Sequence, residues 1–233
     1  DGLGRPVVAT SGNPSDQPTI HDDDEARRAL AGICDAFLVH DRPILRQADD
    51  SVLQVVTRPT PRPQLLRRAR GYAPLPVLAS HELPALVGLG GHMNVTFAVA
   101  RGREIVLSPH LGEMESMEGR DAYRRTLDDF LRLLDVRPEA VVHDLHPDYW
   151  TTRLAEELAR EWGVPAHAVQ HHHAHLAAAA LEHELDGEVV ALTWDGTGDG
   201  GDGTIWGGEL LHGTAGASRR VGSIVPFGLA GGE

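Results

Sequence analysis

Four histidines lie close together near residue 170: His171, His172, His173 and His175. On a helix, side chains at positions i and i+4 share one face, so the imidazoles of His171 and His175 could bind one metal ion. A solvated or capping histidine run is the alternative, but four of the 14 histidines fall within five positions. Two imidazoles do not complete a metal site, and a carboxylate is the expected third ligand. The spacing therefore predicts a metal-binding helix on which His172 and His173 point elsewhere.

A glycine-rich segment with the sequence DGTGDGGDGT occupies residues 195–204, after an apolar run at 189–192. Glycines after a strand allow backbone N–H groups to approach phosphate oxygens, and Asp195 and Asp202 could hold a metal bridged to those phosphates. A tight β-hairpin turn or a calcium loop is the alternative interpretation. The candidate phosphate-binding residues are Gly196, Thr197, Gly198 and Asp202, followed downstream by Gly207, Gly208 and Glu209.

A third polar segment, HDLHPDY at residues 143–149, follows a predicted strand and precedes a predicted helix. In open α/β sheets, ligands bind at the carboxyl ends of the strands, so His146 and Asp148 are candidate site residues. Asp148 could instead belong to the turn that leads into the helix.

The first third of the chain offers a different set of ligand-binding candidates. Ser11 and Asn13 lie in a predicted turn, and Arg67, Arg68 and Arg70 lie in one basic segment. The guanidinium fork suits a phosphate or a carboxylate, although a run of charge is more often a solvated face.

Composition excludes several classes of chemistry. The chain has 233 residues and a net charge of −13, and all 21 basic residues are arginines, which excludes a Schiff-base lysine and a Walker A loop. The acidic balance argues against a general nucleic-acid-binding surface. Cys34 is the single cysteine, so no disulfide or cysteine-built zinc site can form within the chain, and we expect it to be a buried structural thiol.

The apolar runs and the two ends of the sequence bear on where the protein is located and on whether the chain is a whole protein. No apolar run approaches the roughly 18 residues needed to span a bilayer, and the first residues carry no signal-peptide pattern. We therefore expect no membrane partner and a cytoplasmic location. The absence of an initial Met, and the end directly after an apolar stretch, suggest a piece of a longer protein.

Hydrophobic patterning predicts a mixed α/β fold with a sheet at its centre. Expected helices cover residues 22–33, 123–134 and 151–162, the last behind a threonine cap, and an alanine-rich helix follows the histidine cluster. Expected strands cover residues 7–9, 36–39, 51–56, 85–88, 96–100, 104–108, 140–142, 168–169 and 189–192. We place a first part at 1–78, a linker at 79–84 and a second part at 85–233.

The order of several motifs resembles a known family. TSGN at 10–13, HDRPI at 40–44, DDSV at 49–52 and RRARGYAP at 67–74 resemble the end of a YrdC-like domain. SPHLGEMES at 108–116, DLHPDY at 144–149, QHHHAH at 170–175 and residues 195–209 look like a HypF-type carbamoyltransferase, which matures [NiFe]-hydrogenase. The resemblance implies the end of a YrdC-like α/β domain followed by the first lobe of an actin-like ATPase fold.

The resemblance implies a two-step reaction. The YrdC-like part would form carbamoyl adenylate from ATP and a carbamoyl group derived from carbamoyl phosphate. The second part would transfer that group to the C-terminal cysteine thiolate of a HypE-type partner, giving a thiocarboxamide that is later dehydrated to a cyanide ligand of the hydrogenase iron. No cysteine of this chain is needed.

The resemblance also assigns residues and cofactors. Ser11, Asn13, Ser51, Arg68 and Arg70 would lie near the nucleotide of the first step. His171 and His175 would hold a divalent metal, Fe or Zn, with a further Asp ligand beyond Glu233, and Mg would accompany ATP. His146, Asp148 and Asp195 are the candidate catalytic residues of the second part.

Three other functions stay open at this point. They are an O-carbamoyltransferase of secondary metabolism, an inactive nucleotide-binding module and a histidine-based metallohydrolase. Many family members carry a Lys-Asn pair where this chain has GGHMNV at 90–95, and an aromatic residue where it has Asp199. The domain order favours the hydrogenase-maturation reading over the O-carbamoyltransferase.

Overall fold

The computed structural model describes residues 4–14, 19–46 and 48–228. In the first part, helix α1 spans Asp23–Ala29, and the side chain of its N-cap Asp22 accepts a hydrogen bond from the Glu25 amide. Strands β1 (Val52–Val56) and β2 (Arg62–Arg67) pair as an antiparallel hairpin. The strand expected at 51–56 is confirmed.

Four expectations for the first part are wrong. Residues 7–9 and 36–39 form no strand, and Val8 and Leu38 are almost fully exposed. A short apolar run becomes a strand only where a neighbour can satisfy its backbone groups, and neither run has one among the described residues. The helix ends at Ala29 rather than at residue 33, and Cys34 beyond it is exposed rather than buried.

The second part is built on a four-stranded sheet with the order β4-β3-β5-β6. These strands are β3 (Pro76–Gly88), β4 (Ala98–Leu107), β5 (Ala140–Asp144) and β6 (Ala166–Val169). β3, β5 and β6 run parallel, and β4 runs antiparallel to β3. The two strands expected at 96–100 and 104–108 are one strand, β4. The predicted linker at 79–84 lies inside β3, where the pairing with β4 is irregular.

Two amphipathic helices cover this sheet. Helix α2 spans Met117–Leu134, begins at the Ser116 cap and ends at Asp135 in the left-handed conformation. Helix α3 spans Trp150–Trp162 and ends at Gly163, also left-handed. Their apolar faces and the sheet form the core, which includes the fully buried side chains of Val87, Phe97, Tyr123, Val141 and Leu154. This core fixes the carboxyl ends of β5 and β6 at one edge of the sheet.

The threonine cap expected for α3 is wrong. Its N-cap is Tyr149, which makes no side-chain cap hydrogen bond. The hydroxyl of Thr151 instead donates to the Gly91 carbonyl, and that of Thr152 lies within hydrogen-bond distance of the Asp144 and His146 carbonyls. Both threonines therefore tie α3 to the loops at the carboxyl edge of the sheet.

A three-stranded sheet completes the described chain. Helix α4 (His171–Glu182) leads into β7 (Val189–Asp199), β8 (Ile205–Gly213) and β9 (Ser218–Ser223), which pair antiparallel in that order. The glycine-rich segment is a β-hairpin: β7 continues to Asp199, and the turn itself covers 200–204. Helix α4 packs against β7 and β8. Within the described ranges, no helix is both long and apolar enough to cross a membrane.

Candidate functional site

Three side chains from separate positions meet at the start of α4. His171 Nε2 lies 2.7 Å from Asp195 Oδ2, and His175 Nε2 lies 3.2 Å from His171 Nε2 and 3.7 Å from the same carboxylate oxygen. One ligand atom from each residue falls within 4.8 Å of the others. Two imidazoles and one carboxylate form a donor set that suits a divalent transition metal. We call these three residues the metal cluster.

Asp144, the last residue of β5, supports this cluster from behind. Its Oδ1 accepts a hydrogen bond of 2.9 Å from the His146 amide, and its Oδ2 accepts one of 2.6 Å from His171 Nδ1. The imidazole is thereby oriented with Nε2 toward Asp195 and His175. A carboxylate behind a histidine ligand is the usual outer-shell arrangement of metal sites, so the geometry fits the predicted metal.

The surroundings of the cluster shift the pKa values of its two imidazoles in opposite directions. The hydrogen bond that His171 donates to Asp144, assisted by the charge of Asp195, raises the pKa of His171. Partial desolvation and the neighbouring His171 lower the pKa of His175, although 56% of its side chain is exposed. Burial opposes ionisation of Asp144, but the hydrogen bonds from His171 and the His146 amide hold the pKa of its carboxyl below the ordinary value. The lowered pKa favours the neutral, metal-binding form of His175, whereas at His171 a metal would compete with a proton that the neighbouring carboxylates favour.

Close packing joins the glycine hairpin to the metal-binding helix. A Cβ at Gly198 would lie 2.7 Å from Cε1 of the buried His172, so only glycine fits there without a shift. Gln170 Nε2 donates a hydrogen bond of 2.9 Å to the Asp199 carbonyl on the same strand. His173 faces away from the cluster, since its Nδ1 lies 2.8 Å from Ser218 Oγ. His172 does not, because its buried ring lies 5.7 Å from the His171 ring and 6.4 Å from the His175 ring between centroids.

Two residues predicted to lie at the nucleotide phosphates, Asp202 and Glu209, form ion pairs with an arginine of β9 instead. Arg220 forms ion pairs with Asp202 at 3.4 Å and with the buried Glu209 at 3.3 Å, and its guanidinium lies 4.5 Å above the Trp206 ring. Asp202 also accepts a hydrogen bond from the Thr204 amide and so shapes the turn. Nothing in the sequence spacing distinguished Arg220 from a solvated arginine.

The other predicted phosphate-binding residues of the hairpin are Gly196 and Thr197 on β7 and Gly207 and Gly208 on β8. Gly196 and Thr197 are exposed within β7, where the pairing with β8 is irregular. Gly207 approaches the carbonyls of Asp195 and Gly196, whereas Gly208 faces Ile224. The Gly196 amide donates a hydrogen bond of 2.7 Å to Asp195 Oδ1, so the exposed backbone next to the metal cluster is that of Thr197.

His146 and Asp148 lie in the loop between β5 and α3 but outside the metal cluster. The His146 ring stacks on Tyr149 at a centroid distance of 4.2 Å, and its Nδ1 accepts a hydrogen bond from the Asp148 amide. The Asp148 carboxylate is exposed and lies 3.4 Å from Arg153. His146 borders the cluster through its amide contact with Asp144.

A cleft of about 610 Å³ lies between the two parts of the chain. Three predicted nucleotide-binding residues line it, namely Ser11, Asn13 and Arg70. The opposite wall comes from residues 110–113 of the second part. Hydroxyl, amide and guanidinium groups on one wall can donate to an anionic ligand, and the carboxylates of Asp49, Asp50 and Glu113 line the same cleft.

The other two residues predicted for this nucleotide have different surroundings. The Ser51 hydroxyl donates to the Arg70 carbonyl and accepts from the Ala69 amide, so it holds the basic segment in place. Arg68 donates to the Leu75 carbonyl and lines a smaller cleft of about 380 Å³.

Comparisons with known proteins define the class of this molecule. Residues 1–69 match a Sua5/YciO/YrdC family model, described as telomere recombination. Residues 81–182 match the HypF Kae1-like domain, and residues 191–233 match the second subdomain of the carbamoyltransferase Kae1-like domain. The fold is therefore a YrdC-like part joined to a Kae1-like part, as predicted.

Individual relatives identify the family. Carbamoyltransferase HypF2 of Cupriavidus necator is 45% identical over 97% of this chain and 28% of its own length. Carbamoyltransferase HypF of Synechocystis is 42% identical over 99% of this chain and 30% of its own length. The chain belongs to the HypF family, which confirms the resemblance drawn from its motifs, and it spans less than a third of these relatives.

Solved structures agree with this assignment. Full-length HypF in a phosphate- and nucleotide-bound form has a TM-score of 0.85 and 37% identity, over 91% of this chain and 32% of that one. HypF of T. kodakarensis has a TM-score of 0.80 and 35% identity, over 87% of this chain and 26% of that one. The mixed α/β fold is thus shared with HypF.

Proposed function

We propose that this chain carries two ligand sites of an ATP-dependent carbamoyltransferase that serves [NiFe]-hydrogenase maturation in the cytoplasm. The observation that carries the proposal is the metal cluster, supported by Asp144 and joined to the glycine hairpin, in a member of the HypF family. The cleft between the two parts is the site of the first step, and the metal cluster is the site of the second.

In the first step, carbamoyl phosphate is hydrolysed to carbamate and inorganic phosphate, and a carbamate oxygen then attacks the α-phosphorus of ATP. The bond to the β-phosphate breaks, pyrophosphate leaves and carbamoyl adenylate forms. Ser11, Asn13 and Arg70 line the cleft and can donate hydrogen bonds to the triphosphate, which enters with Mg. A HypF structure described as phosphate- and nucleotide-bound supports a nucleotide ligand for this family.

In the second step, the cysteine thiolate of a HypE-type partner attacks the carbamoyl carbon. The bond between that carbon and the phosphate oxygen breaks, AMP leaves and a protein thiocarboxamide forms. The exposed backbone amide of Thr197, next to the metal cluster, can donate to the AMP phosphate, whereas the Gly196 amide already donates to Asp195 Oδ1. His146 and Asp148 border the same edge of the sheet. The acceptor supplies the thiol, so Cys34 takes no part.

A divalent cation, Fe or Zn, would be held by His171, His175 and Asp195. When bound, it would neutralise the negative charge that develops on the phosphate of the leaving AMP. Asp144 keeps His171 in the tautomer and orientation that present Nε2 to the cluster.

The test separates the two half-reactions in the full-length protein. We expect His171→Ala and His175→Ala to lower bound metal and to abolish carbamoyl transfer to the partner, while ATP–pyrophosphate exchange dependent on carbamoyl phosphate is retained. His183→Ala, an exposed histidine at the end of α4, is the matched control. Equal loss of exchange and transfer in folded variants would contradict this division, and absence of both steps in the wild type would favour the inactive nucleotide-binding module.

A further inference from the structure

The cleft between the two parts contains a histidine, His110, to which the proposed first step assigns no role. His110 comes from the loop between β4 and α2, in the second part, and lines the cleft together with Gly112 and Glu113. Its side chain is only 11% exposed, so its ring is held in a fixed position. A residue of the Kae1-like part is therefore built into the wall of the cleft that holds Ser11 and Arg70.

A polar network joins His110 to the first part. His110 Nδ1 lies 2.8 Å from Asp49 Oδ2, and its Nε2 lies 3.2 Å from Asn94 Oδ1. The Thr19 hydroxyl contacts the other oxygen of Asp49 at 3.4 Å. The hydrogen bond from His110 lowers the pKa of Asp49, which keeps that carboxylate ionised and able to accept both contacts.

The backbone around Asp49 in turn carries Arg70. The Arg70 amide donates to the Asp49 carbonyl at 3.2 Å, and Arg70 Nη2 donates to the Ala48 carbonyl at 3.1 Å. The position of the guanidinium in the cleft therefore depends on where residues 48–50 lie. Through Asp49, that position depends on His110.

We propose that His110 is a positioning residue for the adenylate-forming step, supplied to the YrdC-like part by the Kae1-like part. This inference rests on the proposed function of the cleft. His110 donates to Asp49, Asp49 fixes the backbone that orients Arg70, and Arg70 binds the triphosphate. The first half-reaction therefore requires a residue from the part of the chain that performs the second.

Amide substitutions can separate the two contacts of the His110 ring. The side-chain nitrogen of Asn matches the place of Nδ1, and that of Gln matches the place of Nε2. His110→Asn therefore preserves the donor to Asp49, whereas His110→Gln removes it and preserves a polar group toward Asn94. The exposed His81→Ala is the matched control in the second part.

The experiment measures ATP–pyrophosphate exchange in the full-length variants, with bound metal as a second readout. We expect His110→Ala and His110→Gln to raise the KM for ATP about 10-fold, the scale of one lost hydrogen bond to a charged group, with a smaller change in kcat. His110→Asn should stay close to wild type, and bound metal should be unchanged in all three variants.

Contrary outcomes are distinguishable from failure of the proposed function. A wild-type KM in His110→Ala, or an Asn variant no better than the Gln variant, would overturn the role of His110 while leaving the exchange reaction in place. Loss of transfer with normal exchange would assign His110 to the second step and would also overturn it. Absence of exchange in the wild type would overturn the proposed function and this inference together.

Discussion

Asp144 occupies the position in the second part on which the geometry of the metal cluster depends most. Each of its carboxylate oxygens accepts one hydrogen bond, from the His146 amide and from His171 Nδ1. The side chain is mostly buried, so without these donors the charged form would be disfavoured. The negative charge is therefore maintained next to the imidazole that it orients.

Asp144→Asn tests this role at the residue scale. The amide has the same shape but no charge, so it can no longer fix the tautomer of His171, and we expect metal affinity to fall about 10- to 100-fold. Competition with a chelator in the full-length protein measures the affinity. The exposed Asp186→Asn is the control, and an unchanged affinity in Asp144→Asn would show that the carboxylate has no supporting role.

The residues of the metal cluster could be predicted from sequence to different degrees. The helical period is enough to pair His171 with His175, because their proximity depends only on local geometry. Asp195 could be recognised as a possible ligand but not placed, since its approach depends on how β7 packs against α4. Asp144 and Arg220 went unassigned because their partners lie 27 and 11 or more residues away in the chain. Contacts of that kind are set by the fold rather than by a motif.

At the scale of elements, the seam between α4 and the β7–β8 hairpin determines where Asp195 lies. Gly198 permits the close approach, and Gln170 ties the helix cap to the Asp199 carbonyl. On the far side, Arg220 links Asp202, Glu209 and Trp206. The hairpin is thus held from two directions, and its glycines serve packing as well as backbone access.

Gly198→Ala should disturb this seam. Its new methyl group would press on the His172 ring, at a cost of about 1–3 kcal/mol that loosens the hairpin and lowers metal affinity. Hydrogen exchange of the backbone amides of residues 195–204 in the full-length protein reports the loosening. Gly216→Ala, where the nearest neighbouring atom is 3.8 Å away, is the control. Equal exchange rates in the two variants would show that the close contact does not hold the hairpin.

The elements themselves were predicted best where the hydrophobic pattern is long. The helical period at 123–134 located α2, although the helix begins earlier, at the Ser116 cap. The three- and four-residue apolar runs at 7–9 and 36–39 gave no strand, because such runs carry no information about a pairing partner. The glycine-rich segment was expected to follow a strand ending at 192, yet its first half, residues 195–199, extends β7.

At the scale of the whole molecule, polar contacts join the YrdC-like and Kae1-like parts. Asp49 contacts His110, and Arg46 contacts Asp129 of α2 at 2.8 Å. The carboxylate side chain of each pair, Asp49 or Asp129, is only partly exposed, which limits screening of the ion pair by solvent. The cleft between the parts therefore has a preferred geometry.

The pKa of Asp49 reports on the contact between the two parts. Its folded-state pKa lies below the ordinary value of 3.8, chiefly because of the hydrogen bond from His110, so ionised Asp49 stabilises the folded state above pH 3.8. That contribution is lost as the pH falls through the lowered folded-state pKa. In His110→Ala we expect the pKa of Asp49 to rise, measured by carbon NMR of its labelled carboxyl group. His81→Ala is the control, and an unaltered Asp49 titration in His110→Ala would contradict the contact.

The continuity of β3 bears on how the protein could be dissected into separately expressed halves. Pro76, Val77 and Leu78 pair with residues 104–106 of β4, while the same strand continues to Gly88 beside β5. A split at 79–84 would remove the first of these pairings and leave part of the β4 edge bare, which invites aggregation. A protease site or gene split in the turn at 71–74 leaves the strand intact, and is the better place to separate the YrdC-like part from the Kae1-like part.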